Sequence, residues 1–256
     1  MYETSLRLVD GSGGPDENTR DVAMAVTSSP ELRLIGGFDV VVAGRLLALP
    51  PTAQRLLALL ALRSRSQNRS WLAGTLWPDK TDDRAFANLR AAIWRLPAVL
   101  QRHVHARSDQ VGLDTSWVVD TERAAHLADR LHGGETPPIE QTAVFCADLL
   151  PLWDEPWLDA ERERYRQLRL HALDQLARNH LAAGRPDLGV SVALEALAVE
   201  PLRETAALLV LQAHLAQGNR AAAMAHFHRF SQLLDTELRV RPGPAMSELM
   251  ADLATG

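Results

Sequence analysis

An α+β domain followed by an all-α domain is the fold class this sequence predicts, on three observations. Between residues 31 and 119, short alternating apolar runs flank segments of helical period. From Thr121 onward strand signals vanish and helix signals recur between spaced Gly and Pro breaks. Charge divides along the same line: residues 45–107 hold 11 Lys/Arg against 3 Asp/Glu, whereas residues 121–256 hold 13 against 19. The expected organisation is a tail over 1–30, a first domain over 31–120 and a second over 121–256, consistent with usual domain sizes.

Residues 1–30, with Gly11-Ser12-Gly13-Gly14-Pro15 and scattered charges, show no sustained period and carry few large apolar groups, so a disordered tail is expected. Order begins near Leu32. There Leu32, Leu34, Phe38, Val40 and Val42 fall at even positions around Gly36-Gly37, and Ala43-Gly44-Arg45 turns into Leu46-Leu47. Alternation and turn chemistry together predict a small antiparallel sheet.

Pro50-Pro51-Thr52 starts a helix through Leu62, because proline is tolerated in a first turn and good helix formers follow. A second helix over Ser70–Leu76 is expected to be capped by Ser70 and stopped by Trp77-Pro78. The third begins at Thr81-Asp82-Asp83 and runs to Leu96, where Pro97 ends or kinks it. Next, Val104-His105-Ala106-Arg107, a turn at Ser108-Asp109-Gln110, Val111-Gly112-Leu113 and Trp117-Val118-Val119 read as a hairpin. Strands, three helices and a closing hairpin, in that order, describe a winged helix of the response-regulator output type, with the hairpin as its wing.

Winding residues 84–96 at about 100° per residue puts Ala85, Leu89, Ala92, Ile93 and Leu96 on one side. Arg84, Ala87, Asn88, Arg90, Ala91, Trp94 and Arg95 lie around the other. That second face joins guanidinium forks and an amide, groups that bond bidentately to guanine or adenine edges, to alanines that let a backbone approach. Arg84, Asn88 and Arg95 lie within about 40° of one another and are the leading base-reading candidates. Trp94, at about 280° from Arg84, is expected to pack against the sheet or wing rather than touch bases. Arg107 on the wing and Arg55 near the start of the first helix are expected phosphate contacts. The competing reading of the same helix is an ordinary solvated face with a tryptophan at a domain seam.

The net charge of −5 argues weakly against nucleic acid until it is mapped. Segregated charge is what a DNA-binding domain joined to a domain with a different partner would show, since only the former replaces counterions on phosphate. In the second half, Leu181-Ala182-Ala183-Gly184 aligns with Leu215-Ala216-Gln217-Gly218 at an offset of 34, as His180 does with His214. That offset is the period of tetratricopeptide helix–turn–helix repeats, whose stacked pairs leave a groove for protein or peptide. The run from Leu149 to Leu158, with Trp153 and Trp157 among prolines, is expected to form a rigid loop on the first repeat helix.

The residues resemble the Streptomyces antibiotic regulatory protein (SARP) type of activator over about 31–250. The likeness lies in Leu32-Arg33-Leu34-Ile35-Gly36-Gly37-Phe38, Leu76-Trp77-Pro78, Ala87-Asn88-Leu89-Arg90 with Trp94-Arg95-Leu96, and Trp157-Leu158 with Glu161-Arg162. The resemblance implies an OmpR-like winged helix joined to a bacterial transcriptional activator domain. It implies binding to direct repeats of double-stranded promoter DNA, contact with RNA polymerase and its sigma factor, and control of antibiotic or other secondary-metabolite genes. Direct-repeat binding would place two copies on DNA as a homodimer, and a single cysteine fits a reducing cytoplasm, so a cytoplasmic, nucleoid-associated location is expected. Two departures stand out: Pro97 replaces a continuing helix, and Gly112-Leu113-Asp114-Thr115 replaces the expected Gly-Tyr near the wing's end.

Other function classes find little support. Cys146 is the only cysteine, so no intrachain disulfide forms and no structural zinc or iron–sulfur thiolate set exists. No segment approaches the roughly 18 apolar residues of a membrane span, and the N-terminus lacks the order of a secretion signal. His226 and His228, two apart on an expected helix, diverge rather than converge on a metal. No His-Glu-x-x-His, Gly-x-Ser-x-Gly or Gly-x-x-x-x-Gly-Lys run occurs, so neither an enzyme nor a cofactor is expected. The alternative carried forward is a tetratricopeptide-like interaction adaptor whose winged helix docks protein instead of DNA.

Overall fold

The computed structural model describes residues 29–63 and 65–255, so most of the expected tail lies outside the described residues. The chain divides into two compact units, one holding residues up to Leu32 with Asp39–Val118, the other Arg33–Phe38 with Val119–Gly256.

Strands β1 (Glu31–Arg33), β2 (Asp39–Val42), β3 (Arg45–Leu46) and β7 (Val118–Val119) form a sheet of order β3-β2-β1-β7. The β2–β3 hairpin pairs Val41 with Leu46 and Val42 with Arg45. Its two turn residues, Ala43 and Gly44, both have positive φ (50° and 75°), the twist that matches two antiparallel strands. Helix α1 (Pro51–Leu62) carries proline in its first turn and buries Ala53 and every residue from Leu56 to Ala61, forming the centre of the core.

Helix α2 (Arg69–Leu76) starts one residue before the sequence expectation, and Ser70 is not its cap. Asn68 Oδ1 accepts from the backbone N–H of Ser70 at 2.8 Å and of Trp71 at 3.4 Å. Helix α3 (Asp82–Trp94) and the one-turn α4 (Ala98–Gln101) follow, separated by Pro97.

Strands β5 (Val104–Ala106) and β6 (Gln110–Leu113) form the expected hairpin, but the apolar triplet after it does not extend it. Val118 N donates to Pro30 O at 2.9 Å, so β7 returns to the first sheet. The hairpin instead gains β4 (Ser66–Asn68) on its other edge, giving order β4-β6-β5 with Gln67 opposite Val111. Arg65, at φ 59°, braces this corner by donating to Asp114 O and Trp117 O.

The second unit includes the short segment Arg33–Phe38. Ile35 bridges Leu149, Leu150 N donates to Leu34 O, and Asp120 Oδ2 accepts from Leu34 N and Ile35 N at 2.8 Å each. Helices α5 (Asp120–His132), α6 (Ile139–Thr142), α7 (Asp159–Ala182), α8 (Pro186–Val199), α9 (Glu204–Ala216), α10 (Arg220–Leu238) and α11 (Pro244–Thr255) follow. Asn179 Nδ2 donates to both Leu131 O and Glu135 O at 2.8 Å, fastening α7 to the end of α5.

The 34-residue echo is a repeat of structure. Gly184 N donates to Leu181 O (3.0 Å) and Arg185 N to His180 O (2.9 Å); one repeat on, Gly218 N donates to Leu215 O (2.9 Å) and Asn219 N to His214 O (2.8 Å). Both glycines are left-handed, at φ 69° and 71°, the conformation that closes a helix end and that other residues resist. Ala177, Ala193, Leu209 and Val210 pack one inter-repeat core; Leu211, Phe230, Leu234 and Met246 pack the next. The Leu149–Leu158 loop is held by Arg162 of α7, whose guanidinium donates to the carbonyls of Leu149, Leu150 and Trp153.

Candidate nucleic-acid interface

Helix α3 begins after Thr81 with Asp82 and Asp83 in its first turn, where negative charge suits the helix dipole. It is anchored by Ala85, Leu89 and Ala92, and Leu96 follows them into the core. At its C-terminus Gln101 Nε2 donates to Trp94 O (3.2 Å) and Leu96 O (2.9 Å). A neutral amide therefore serves the last carbonyls, and Arg95 is left out of that task.

Arg84, Arg90 and Arg95 are exposed, and among the described residues their side chains enter no ion pair or hydrogen bond. Asn88 and Ala91 are half-buried on the shoulders of the same face. Trp94 departs from expectation. Rather than packing on the sheet or wing it is 82% exposed. Its exposure follows from helix geometry, because the buried set Ala85, Leu89, Ala92 and Leu96 fixes the outward direction within about 10° of position 94.

On the wing, Arg107 is exposed at the β5–β6 turn, which is closed by Arg107 N donating to Gln110 O at 2.9 Å. Arg69, not singled out in sequence, braces that turn: Nε donates to Arg107 O and its backbone N–H to Asp109 O, both at 2.9 Å. Only the tertiary partner distinguishes Arg69 from the other arginines. Arg55 is half-buried, and its Nη2 donates to Leu76 O at 2.7 Å, so its guanidinium helps to join α1 to the end of α2.

A Ser–His–Asp grouping at the base of the wing is structural. Ser116 Oγ (2.7 Å) and Asp114 Oδ2 (3.2 Å) both meet His103 Nδ1, so no proton path runs from hydroxyl through the ring to the carboxylate. In the helical unit, an open groove of about 660 Å³ is lined by Arg162, Arg166 and Arg169 of α7 together with Glu163 and Glu195. Its arginines are engaged: Arg166 with Glu163 and Glu200, Arg169 with Asp148 at 2.6 Å, and Arg162 with backbone carbonyls. Among these sites, unpaired guanidinium groups gather on α3.

Comparison with known proteins bears on the family. Residues 143–254 match the bacterial transcriptional activator domain. The regulatory protein AfsR of Streptomyces coelicolor is 30% identical over 263 residues, covering 96% of this chain. The chain belongs with the SARP-type regulators. AfsR of Streptomyces griseus is 26% identical over 220 residues, covering 78% of this SARP-type chain. The chain spans only 24% of the length of the S. coelicolor relative and 22% of that from S. griseus. Mycobacterium tuberculosis EmbR, solved in complex with a low affinity phosphopeptide, superposes with a TM-score of 0.74 over 89% of this chain and 65% of its own, at 18% identity. The shared fold is thus that of a winged helix followed by a helical domain. Among the described residues no helix is long and apolar enough to cross a membrane.

Proposed function

We propose that this chain is a sequence-specific DNA-binding activator of transcription that lays α3 in the major groove and the Arg107 wing along the backbone. The observation that carries the reading is the exposed face of α3, where Arg84, Arg90 and Arg95 stand without ion-pair partners beside Trp94. Cations that are already free meet phosphate or base edges without first breaking a pair. Arg84, Asn88 and Arg95 read bases, with Arg90, Ala91 and Trp94 completing the contact surface. Arg107 sets register on phosphate, and Arg55 chiefly holds the helices that present α3.

The fuller reading is a cytoplasmic, nucleoid-associated protein without enzymatic activity. It binds direct repeats as a homodimer formed on DNA and recruits RNA polymerase with its sigma factor through the acidic helical domain. Secondary-metabolite genes are the proposed targets, by likeness to SARP-type regulators.

A gel-shift titration on promoter fragments, repeated at rising salt, tests the core of the proposal. Specific binding whose affinity falls steeply with salt is expected. Arg84→Ala and Asn88→Ala should relax sequence preference with melting unchanged. No binding, or weak binding indifferent to sequence, rejects the activator reading in favour of a protein-docking adaptor.

A further inference from the structure

We propose that Trp94 reads thymine methyl groups on the floor of the major groove, an inference that rests on the DNA-binding reading and adds the base chemistry it selects. Because Ala85, Leu89, Ala92 and Leu96 are buried, the line of α3 facing directly outward runs through Ala87 and Trp94, spaced i and i+7, with half-buried Ala91 on its shoulder. That ridge carries no hydrogen-bonding side chain except the indole N–H. The arginines stand beside it, Arg90 on one flank and Arg84 with Arg95 on the other. The leading polar readers therefore lie to one side of the helix's outermost line.

A helix that enters a groove ridge first brings its outermost groups to the base edges and leaves its flanks near the phosphate walls. The apolar feature displayed on base edges in the major groove is the thymine 5-methyl group. Ala87 and Ala91 let the backbone come close. Trp94, 82% exposed with no aromatic or hydrogen-bond partner for its ring among the described residues, offers about 150–250 Å² of side chain for burial there. The flanking cations favour DNA as the occupant of this apolar line, since a hydrophobic protein surface gains nothing from three unpaired guanidinium groups around its rim.

The test uses the full chain and a duplex it selects from random sequence. Each thymine is replaced in turn by uracil, which removes the methyl and nothing else. In the wild type, one position per half-site should lose about fourfold in affinity on this change, the worth of one methyl group. In Trp94→Ala that penalty should vanish while melting and salt dependence stay as in the wild type; Trp94→Leu should restore part of it. Arg90→Ala should instead lower the salt dependence and keep the uracil penalty. If the penalty persists undiminished in Trp94→Ala, or if binding is sequence-specific yet indifferent to every methyl, Trp94 does not read thymine and the inference falls, with the DNA-binding reading intact. A chain that selects no duplex at all removes both.

Discussion

His105 lies over Gly112 across the wing, so closely that a Cβ on Gly112 would come within 2.3 Å of His105 Nε2 and 2.7 Å of Arg65 O. The two residues are opposite one another in the β5–β6 register, with Ser66 of β4 on the other side of Gly112. Gly112 is required by lack of space for any side chain, and it occupies the stretch where the sequence departs from the SARP pattern.

Gly112→Ala should therefore spread the wing, at a cost of about 1–3 kcal/mol for forcing atoms into a filled site. His105→Ala in the same chain should restore only part of the loss, because the Arg65 carbonyl remains. Thermal melting with DNA affinity measures both. Wild-type melting in Gly112→Ala would show that the wing yields without cost.

The start of α2 gives a second prediction. Asn68 makes the side-chain cap, so Asn68→Ala should cost about 1 kcal/mol and Ser70→Ala close to nothing. Chemical denaturation of the two variants separates them, and equal losses would return the cap to Ser70.

Asn68 also shows what was legible in the sequence and what was not. Features set by neighbouring residues were readable: Gly184 and Gly218 mark left-handed helix ends, Pro51 a first turn, and Ala85, Leu89 and Ala92 a buried stripe. Features set by distant partners were not. Ser66-Gln67-Asn68 has no apolar alternation and becomes a strand because β6 supplies its hydrogen bonds. Val118-Val119 looks like a continuation of the hairpin because an apolar pair carries no register information, yet it pairs beside Pro30. The arginine-bearing face of α3 was legible by period, but Trp94's exposure depends on where the rest of the fold leaves room.

His226 supplies a pH-dependent prediction. It is buried in α10, stacked on Phe230 at 6.4 Å, and burial aided by Arg229 and His214 pushes its pKa from 6.5 down to about 4. The unfolded chain takes up the proton near 6.5, the folded one only near 4, so between these values the unfolded state binds more protons. Stability of the helical domain should then fall as pH drops from about 6.5 to about 4, by up to roughly 3 kcal/mol, with no further loss from this group below that window. His226→Phe should flatten the decline in melting temperature across it. An unchanged decline would assign it elsewhere, with His180, whose pKa is also lowered by burial, the next residue to replace.

Asp174 and Arg203 hold consecutive repeats together. Arg203 donates Nε (3.1 Å) and Nη2 (2.8 Å) to Asp174 Oδ2, and Thr205 Oγ1 donates to the same oxygen at 2.8 Å. The carboxylate is on α7 and both donors are at the start of α9, with only 4% of the Asp174 side chain and 14% of the Arg203 side chain exposed. Removing Asp174 leaves the Arg203 guanidinium with only the more exposed Glu200, at 3.5 Å, in a largely dry setting, a loss of about 3 kcal/mol, at the low end for a broken buried pair. Asp174→Ala should accordingly lower the melting midpoint of the helical domain by roughly 10 °C. Replacing both residues with apolar side chains of similar volume should recover much of that loss, because the poorly compensated buried guanidinium is then gone. Additive losses in the double variant would mean that the two residues act through separate contacts rather than as a pair.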